Sequence, residues 1–209
     1  MNRQLVAEKI SVNRQPKKQL EVLTVASDYF LSHGYKGTSI NAMARDSGIS
    51  KESIYRYFSS KKELFEAVIA RELATYRKNL QFLDYETESI ALDTALKRTA
   101  ENLLAVVTND RTLSLRRLIF QQAKQSPDVG QYYYEIGPKP AYKNLEKIFA
   151  AHQDETEFRP EELAHYFVAM VLHRATLQRE CGVRKPMAKA QIRTQSARTT
   201  DDFLRAFFK

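Results

Sequence analysis

Gly34-Tyr35-Lys36-Gly37-Thr38-Ser39-Ile40, Ala42-Met43-Ala44, Ser47-Gly48-Ile49-Ser50-Lys51, Tyr55-Arg56-Tyr57-Phe58 and Ser60-Lys61-Lys62-Glu63 follow one another between residues 34 and 63. Gly34 stops a preceding helix, and Thr38 is a good N-cap for the next, which buries Ile40 and Met43 with Ala44 beside them. Gly48 ends that helix. Ser50 caps another whose inner face is Ile49, Ile54 and Phe58. Ser60 and Glu63 then have the spacing of a capping box, a hydroxyl with a carboxylate three residues on. Two short helices joined by a glycine turn, the second presenting hydroxyl, basic and phenolic side chains, are the pattern of a helix-turn-helix.

A helix lying in the major groove needs short polar or charged side chains near its N-terminus, where base edges come within reach. Ser50, Lys51, Glu52, Ser53 and Arg56 hold such positions and project outward if Ile49, Ile54 and Phe58 face the core. Tyr55 and Tyr57 flank that face, and a phenol can bond a phosphate oxygen, fixing register without reading sequence. Lys61 and Lys62 sit in the first turn of their helix, where the macrodipole disfavours a cation by roughly 0.3–1 kcal/mol. Either they are solvated, or a bound phosphate gathers dipole, amides and ammonium together. Thr38 and Ser39 open their helix in the same way.

Upstream, Val22, Leu23, Ala26 and Phe30 recur at helical spacing after Pro16. Residues 1–15 read as a flexible basic arm carrying Arg3, Lys9 and Arg14. Downstream, Leu64, Phe65, Val68, Ile69, Leu73 and Tyr76 continue a long helix that reads as a strut into the rest of the chain. The remainder is helical in pattern through Ile90–Val107, Leu113–Ala123, Tyr132–Ala151 and Pro160–Leu177. Gly137-Pro138-Lys139-Pro140 interrupts it, because proline lacks an amide donor and clashes with the preceding turn. Residues 183–199 are basic and poor in apolar residues, so they read as a linker, with a last helix starting at Thr200-Asp201-Asp202.

These residues resemble the N-terminal domain of the TetR family of transcriptional regulators, from Val22 to Leu64, with the landmarks in order and at the right spacing. Glu52 departs from the pattern, which often has a small residue there; an acid can accept from a cytosine amino group or pair with a neighbouring cation. Leu118-Ile119-Phe120, Ser126-Pro127 and Tyr132–Pro138 are similar to the AefR-like subgroup of C-terminal domains. The resemblance implies an all-α chain: a three-helix N-terminal helix-turn-helix DNA-binding domain, then a larger helical ligand-binding and dimerisation domain. The expected division is an arm over 1–15, the DNA-binding domain over 16–76 (helix-turn-helix at about 39–58) running into the linking helix, and the effector-binding and dimerisation domain over 77–209. It also implies phosphate contacts at Thr38, Tyr55 and Lys61, and base reading at the start of the Ser50–Phe58 helix.

The charge distribution agrees. The net charge of +8 divides into +6 over residues 1–62, with eleven Lys/Arg against five Asp/Glu, and +2 over the remaining 147 residues. That asymmetry suits a polyanion-binding head, or else a basic surface without a partner. The single cysteine, Cys181, cannot form an intrachain disulfide; it is either an inert thiol or a redox sensor. No apolar run reaches the roughly 20 residues that span a bilayer, and no secretory signal is visible, so a cytoplasmic protein without membrane association is expected.

In the body, Phe120, Tyr133, Phe167, Met170 and His173 are candidates for an effector pocket, each also readable as core. Only one or two of Tyr132-Tyr133-Tyr134 can face one side. Glu162 and His165 are i, i+3 partners, but a single such pair does not build a bundle metal site; no metal and no cofactor are expected. Phe203, Leu204, Phe207 and Phe208 either pack within the chain or, with the Pro160–Glu180 helix, build a two-fold interface. No GxSxG, P-loop or HExxH motif is present, and no catalytic residue is assigned. The expected function is a homodimeric, sequence-specific regulator, a repressor released from a palindromic double-stranded operator by a small, largely apolar effector. The alternative is a DNA-organising protein with the same head and no effector.

Overall fold

The computed structural model describes residues 16–80 and 90–208, with side chains described through Tyr76 and again from Ile90. The expected arm over 1–15 lies outside the described residues. The described chain is helical: α1 (Lys17–Gly37), α2 (Ile40–Ser47), α3 (Lys51–Tyr57), α4 (Lys61–Leu80), α5 (Leu92–Val107), α6 (Asp110–Ala123), α7 (Pro127–Ile136), α8 (Pro138–Ala150), α9 (Pro160–Glu180) and α10 (Lys189–Phe207), with a 3-10 turn at Gln153–Glu155. The helices form two compact units. Of the described residues, those through Arg77 together with Ser114–Tyr133 form one, and the rest, from Lys78 to Leu113 and from Tyr134 onward, form the other. Ser114–Tyr133 packs in the same unit as the N-terminal helices, so the two units do not follow a single cut in the chain.

In the first unit, α1 buries Val22, Leu23, Ala26 and Phe30, α2 buries Ile40 and Met43, and Ile49, Ile54 and Phe58 close the core from around α3. The apolar stripe of α4, from Leu64 to Tyr76, is buried throughout. Two glycines make the turns. Gly34 breaks α1 with φ 69° and ψ 175°, a conformation that side chains with a Cβ avoid. Gly48 adopts the left-handed conformation (φ 71°, ψ 5°) that ends α2 and redirects the chain into α3.

The second unit is built on α5 and α10. Buried Thr99 and Ala100 of α5 and buried Ser196 and Thr200 of α10 are small, so two backbones can approach closely. Lys97 of α5 lies 3.1 Å from Asp201 of α10, which draws the helices together at the surface. Phe203 is fully buried against Phe167 and Phe149, with ring centroids 5.0 and 5.6 Å away. Burying such a ring contributes about 1.5–3 kcal/mol. Arg179, near the end of α9, is buried; it donates to the Thr108 carbonyl at 3.1 Å and pairs with Asp110.

One sequence expectation changes. Residues 183–199 are not wholly a linker: α10 begins at Lys189, eleven residues before the expected start. Its inward stripe (Ile192, Ser196, Thr200, Phe203) keeps helical spacing, but two of the four are hydroxyl residues. Phe203 packs within the chain, while Leu204, Phe207 and Phe208 remain half-buried. The expected break at Gly137 is present, since α7 ends at Ile136 and α8 starts at Pro138.

Candidate nucleic-acid interface

The interface is assembled from three helix starts. At α2 the N-cap is Ser39, not Thr38: the Ser39 hydroxyl oxygen accepts from the Ala42 amide at 3.4 Å. Thr38 is buried, and its hydroxyl lies 2.8 Å from the Gly34 carbonyl and 3.3 Å from the Tyr29 carbonyl. Its single proton is spent inside the head, so the expected phosphate contact through this hydroxyl does not fit. Ser39, one residue on, is exposed.

At α3, Ser50 accepts from the Ser53 amide at 3.1 Å and donates to the Ser53 hydroxyl at 2.9 Å. The Ser50 side chain is thus occupied as the helix cap, and the proton of the Ser53 hydroxyl is the one left to point outward. Lys51, Glu52, Tyr55 and Arg56 are exposed while Ile54 is buried, and Tyr57 is half-buried. Lys51 extends toward the Tyr55 ring, its ammonium 5.8 Å from the centroid. The outer face of α3 therefore offers two cations, one acid, one phenol and one hydroxyl.

At α4, the Ser60 hydroxyl accepts from the Glu63 amide at 3.1 Å. The Glu63 carboxylate reaches back one residue further than a capping box requires, to the Ser59 amide at 2.9 Å. Lys61, in the first turn, holds its ammonium 4.7 Å from the centre of the Tyr35 ring. Tyr35 stands edge-to-face on Phe65 at 4.8 Å, and Phe65 stands likewise on Phe30 at 5.1 Å. An aromatic column from the core thus supports this lysine.

A brace between α1 and α2 escaped the sequence reading. The Tyr29 hydroxyl donates to Asp46 at 2.6 Å, and Asp46 also accepts from Arg45 at 2.9 Å. These bonds hold the Asp46 carboxyl below its usual range and raise the Tyr29 phenol. Nothing in the 17-residue separation of Tyr29 and Asp46 signals the pair.

The five expected pocket residues are not gathered in one cavity. Tyr133 is buried against Tyr76, ring centroids 5.4 Å apart. Burial pushes both phenols up. Phe120 is exposed beside it, with its ring edge-on to Tyr133. Phe167 belongs to the packed aromatic core of the second unit, and Met170 and His173 are exposed on α9. Glu162 is engaged by Arg159 at 2.9 Å, and His165 stacks on Tyr142 at 4.7 Å. A cavity of about 440 Å³ does lie in the first unit, between α4 and the α6–α7 turn.

A glycine-turned pair of capped helices with an outward cationic and phenolic face, on an otherwise helical chain, defines a DNA-binding regulator. Residues 22–68 match the bacterial regulatory proteins of the TetR family, and residues 94–208 match the AefR-like transcriptional repressor C-terminal domain. The HTH-type transcriptional regulator YfiR of Bacillus subtilis is 31% identical over 173 residues, covering 79% of this chain and 82% of the relative. A TetR-family regulator from Mesorhizobium loti shares the fold with a TM-score of 0.69 and 24% identity, over 92% of this chain and 98% of that one. The flavonoid-responsive regulator FrrA does so with a TM-score of 0.65 and 24% identity, over 92% and 97%.

The chain belongs to the TetR family of transcriptional regulators. Regulators of this family bind DNA, act as dimers and are not enzymes. No helix among the described residues is long and apolar enough to cross a membrane.

Proposed function

We propose that this regulator is a homodimeric repressor that places α3 of each subunit in a major groove of a palindromic operator and is released by a small-molecule effector. The observation that carries the reading is the outer face of α3. Lys51, Glu52, Tyr55 and Arg56 are exposed on a helix of only seven residues whose start is fixed by the Ser50 cap. Such a helix presents its first turn to base edges and its flanks to phosphates. Lys51, Glu52, Ser53 and Arg56 are assigned to base edges. Ser39, Tyr55, Tyr57 and Lys61 are assigned to the backbone, and Ser50 acts through the cap.

A dimer is supported by α9. Tyr166, Met170, His173 and Leu177 recur at i, i+4, i+7 and i+11 and all are exposed. A stripe of this kind suits a two-fold contact, in which one patch serves both partners. Repression agrees with the AefR-like repressor match over residues 94–208, and responsiveness to a small molecule with the likeness to FrrA. Effector release requires that the effector bind the DNA-free head spacing more tightly than the DNA-bound one.

Selection of bound duplexes from a random pool tests the proposal. Enrichment of an inverted repeat bound by two chains supports it. Enrichment of unrelated sequences with equal affinity points instead to a DNA-organising protein.

A further inference from the structure

Glu52 is the one acid in α3, the helix that the proposed function turns toward a polyanion. It is exposed in the first turn, with Lys51 before it and Arg56 four residues on. A glutamate four residues ahead of a cation has the spacing at which helix ion pairs form. No such pair forms here. Among the described residues neither Glu52 nor Arg56 has a hydrogen-bond or ion-pair partner, and Lys51 extends toward the Tyr55 ring, 5.8 Å from its centre. Two neighbouring acids of the head are used internally. Asp46 is held by Tyr29 and Arg45, and Glu63 reaches back to the Ser59 amide. Glu52 alone of these three is left with its carboxylate free.

In water an exposed carboxylate is well hydrated. Against a duplex it loses that water and meets the field of the phosphates, unless a donor replaces the water. In the major groove only cytosine N4 and adenine N6 offer an amino group, while guanine and thymine present acceptors. Adenine sets its N7 acceptor beside that amino group, where it opposes a carboxylate. Cytosine has no such acceptor on this edge.

We propose that Glu52 is a specificity-determining residue, which accepts from the N4 amino group of one cytosine in each half-site and lowers affinity for duplexes that lack it. This rests on α3 as the reading helix. The bond gained on the right base and the repulsion met on the wrong one act in the same direction, so one acid serves both sides of discrimination. An acid in the first turn also favours the helix dipole. Losing that contribution would weaken all duplexes alike, so base preference separates the two roles.

Selection from a random duplex pool, run in parallel on the full chain, Glu52→Gln and Glu52→Ala, tests the assignment. The parent should enrich cytosine at one position of each half-site. Glu52→Gln should shift that position to adenine, whose N6 and N7 suit an amide, and Glu52→Ala should leave it without preference. The other positions should stay as they are. On the selected site, changing that cytosine to thymine in one half-site should cost the parent about tenfold in affinity and Glu52→Ala almost nothing. Glu52→Ala should also bind random duplex more tightly than the parent does. A two-fold motif without the cytosine, a motif unchanged in Glu52→Ala, or equal losses on every duplex refutes the role of Glu52 and leaves the reading helix standing. A parent that enriches no motif refutes the reading helix, and this assignment with it.

Discussion

Replacing Lys61 with alanine separates a phosphate contact from a merely solvated lysine. The ammonium lies 4.7 Å from the centre of the Tyr35 ring, so truncation loses a cation–π contact of about 0.5–1 kcal/mol at this half-exposed site. It also relieves a cation in the first turn of α4, worth roughly 0.3–1 kcal/mol with the opposite sign. The two nearly cancel, and the melting temperature should barely move. DNA binding should change much more. Each phosphate neutralised contributes about 0.9 to the slope of log affinity against log salt, so a dimer that loses two such contacts flattens by about 1.8. Between about 50 and 200 mM salt the variant should therefore lose roughly tenfold less affinity than its parent. Fluorescence anisotropy on a labelled operator across that range reads the slope. Lys61→Arg should keep it. An unchanged slope in Lys61→Ala would refute the phosphate role whatever happened to affinity at one salt concentration.

Three further outcomes concern the scaffold. Gly48→Ala should cost about 1–2 kcal/mol by strain at positive φ, because a Cβ there meets nothing within 4 Å; a thermal melt unchanged from the parent would contradict this. Thr200→Val should raise the melting temperature by about 2–4 °C, since it removes a buried hydroxyl with no hydrogen-bond partner among the described residues while keeping the shape; a lower melting temperature would contradict it. Burial raises the Tyr76 phenol, so the folded form holds its proton to higher pH than the unfolded form does. That contribution is complete below the ordinary phenol pKa and declines above about pH 10, by up to about 1.4 kcal/mol per pH unit. Tyr76→Phe should flatten the alkaline limb of a stability-against-pH curve, and an unaltered limb would count against it.

The head was legible because its signals are local. Gly48, the Ser50 cap and the Ile49, Ile54 and Phe58 face each declare themselves within a turn or two of chain. The one-residue shift from Thr38 to Ser39 was not legible. Two adjacent hydroxyls are equally good caps, and only the carbonyls of Gly34 and Tyr29 decide which turns inward. The first half of α10 was missed for a related reason. Its buried face uses Ser196 and Thr200, chosen for small size, so hydropathy gives no stripe. The cavity was beyond reach, because Tyr35, the 62–73 stretch and residues 122–132 meet only in three dimensions. The pocket candidates were read by residue type, and type does not distinguish Phe167 in a packed core from Phe120 at the surface.

Methylation protection on the selected operator is the most direct test of α3 as the reading helix. Guanine N7 lies in the major groove, where α3 is placed. Two protected patches related by the operator's dyad, centred about one helical turn or a multiple of it apart, are expected. Binding that leaves every guanine N7 reactive, or protects a single patch without two-fold symmetry, would contradict the account.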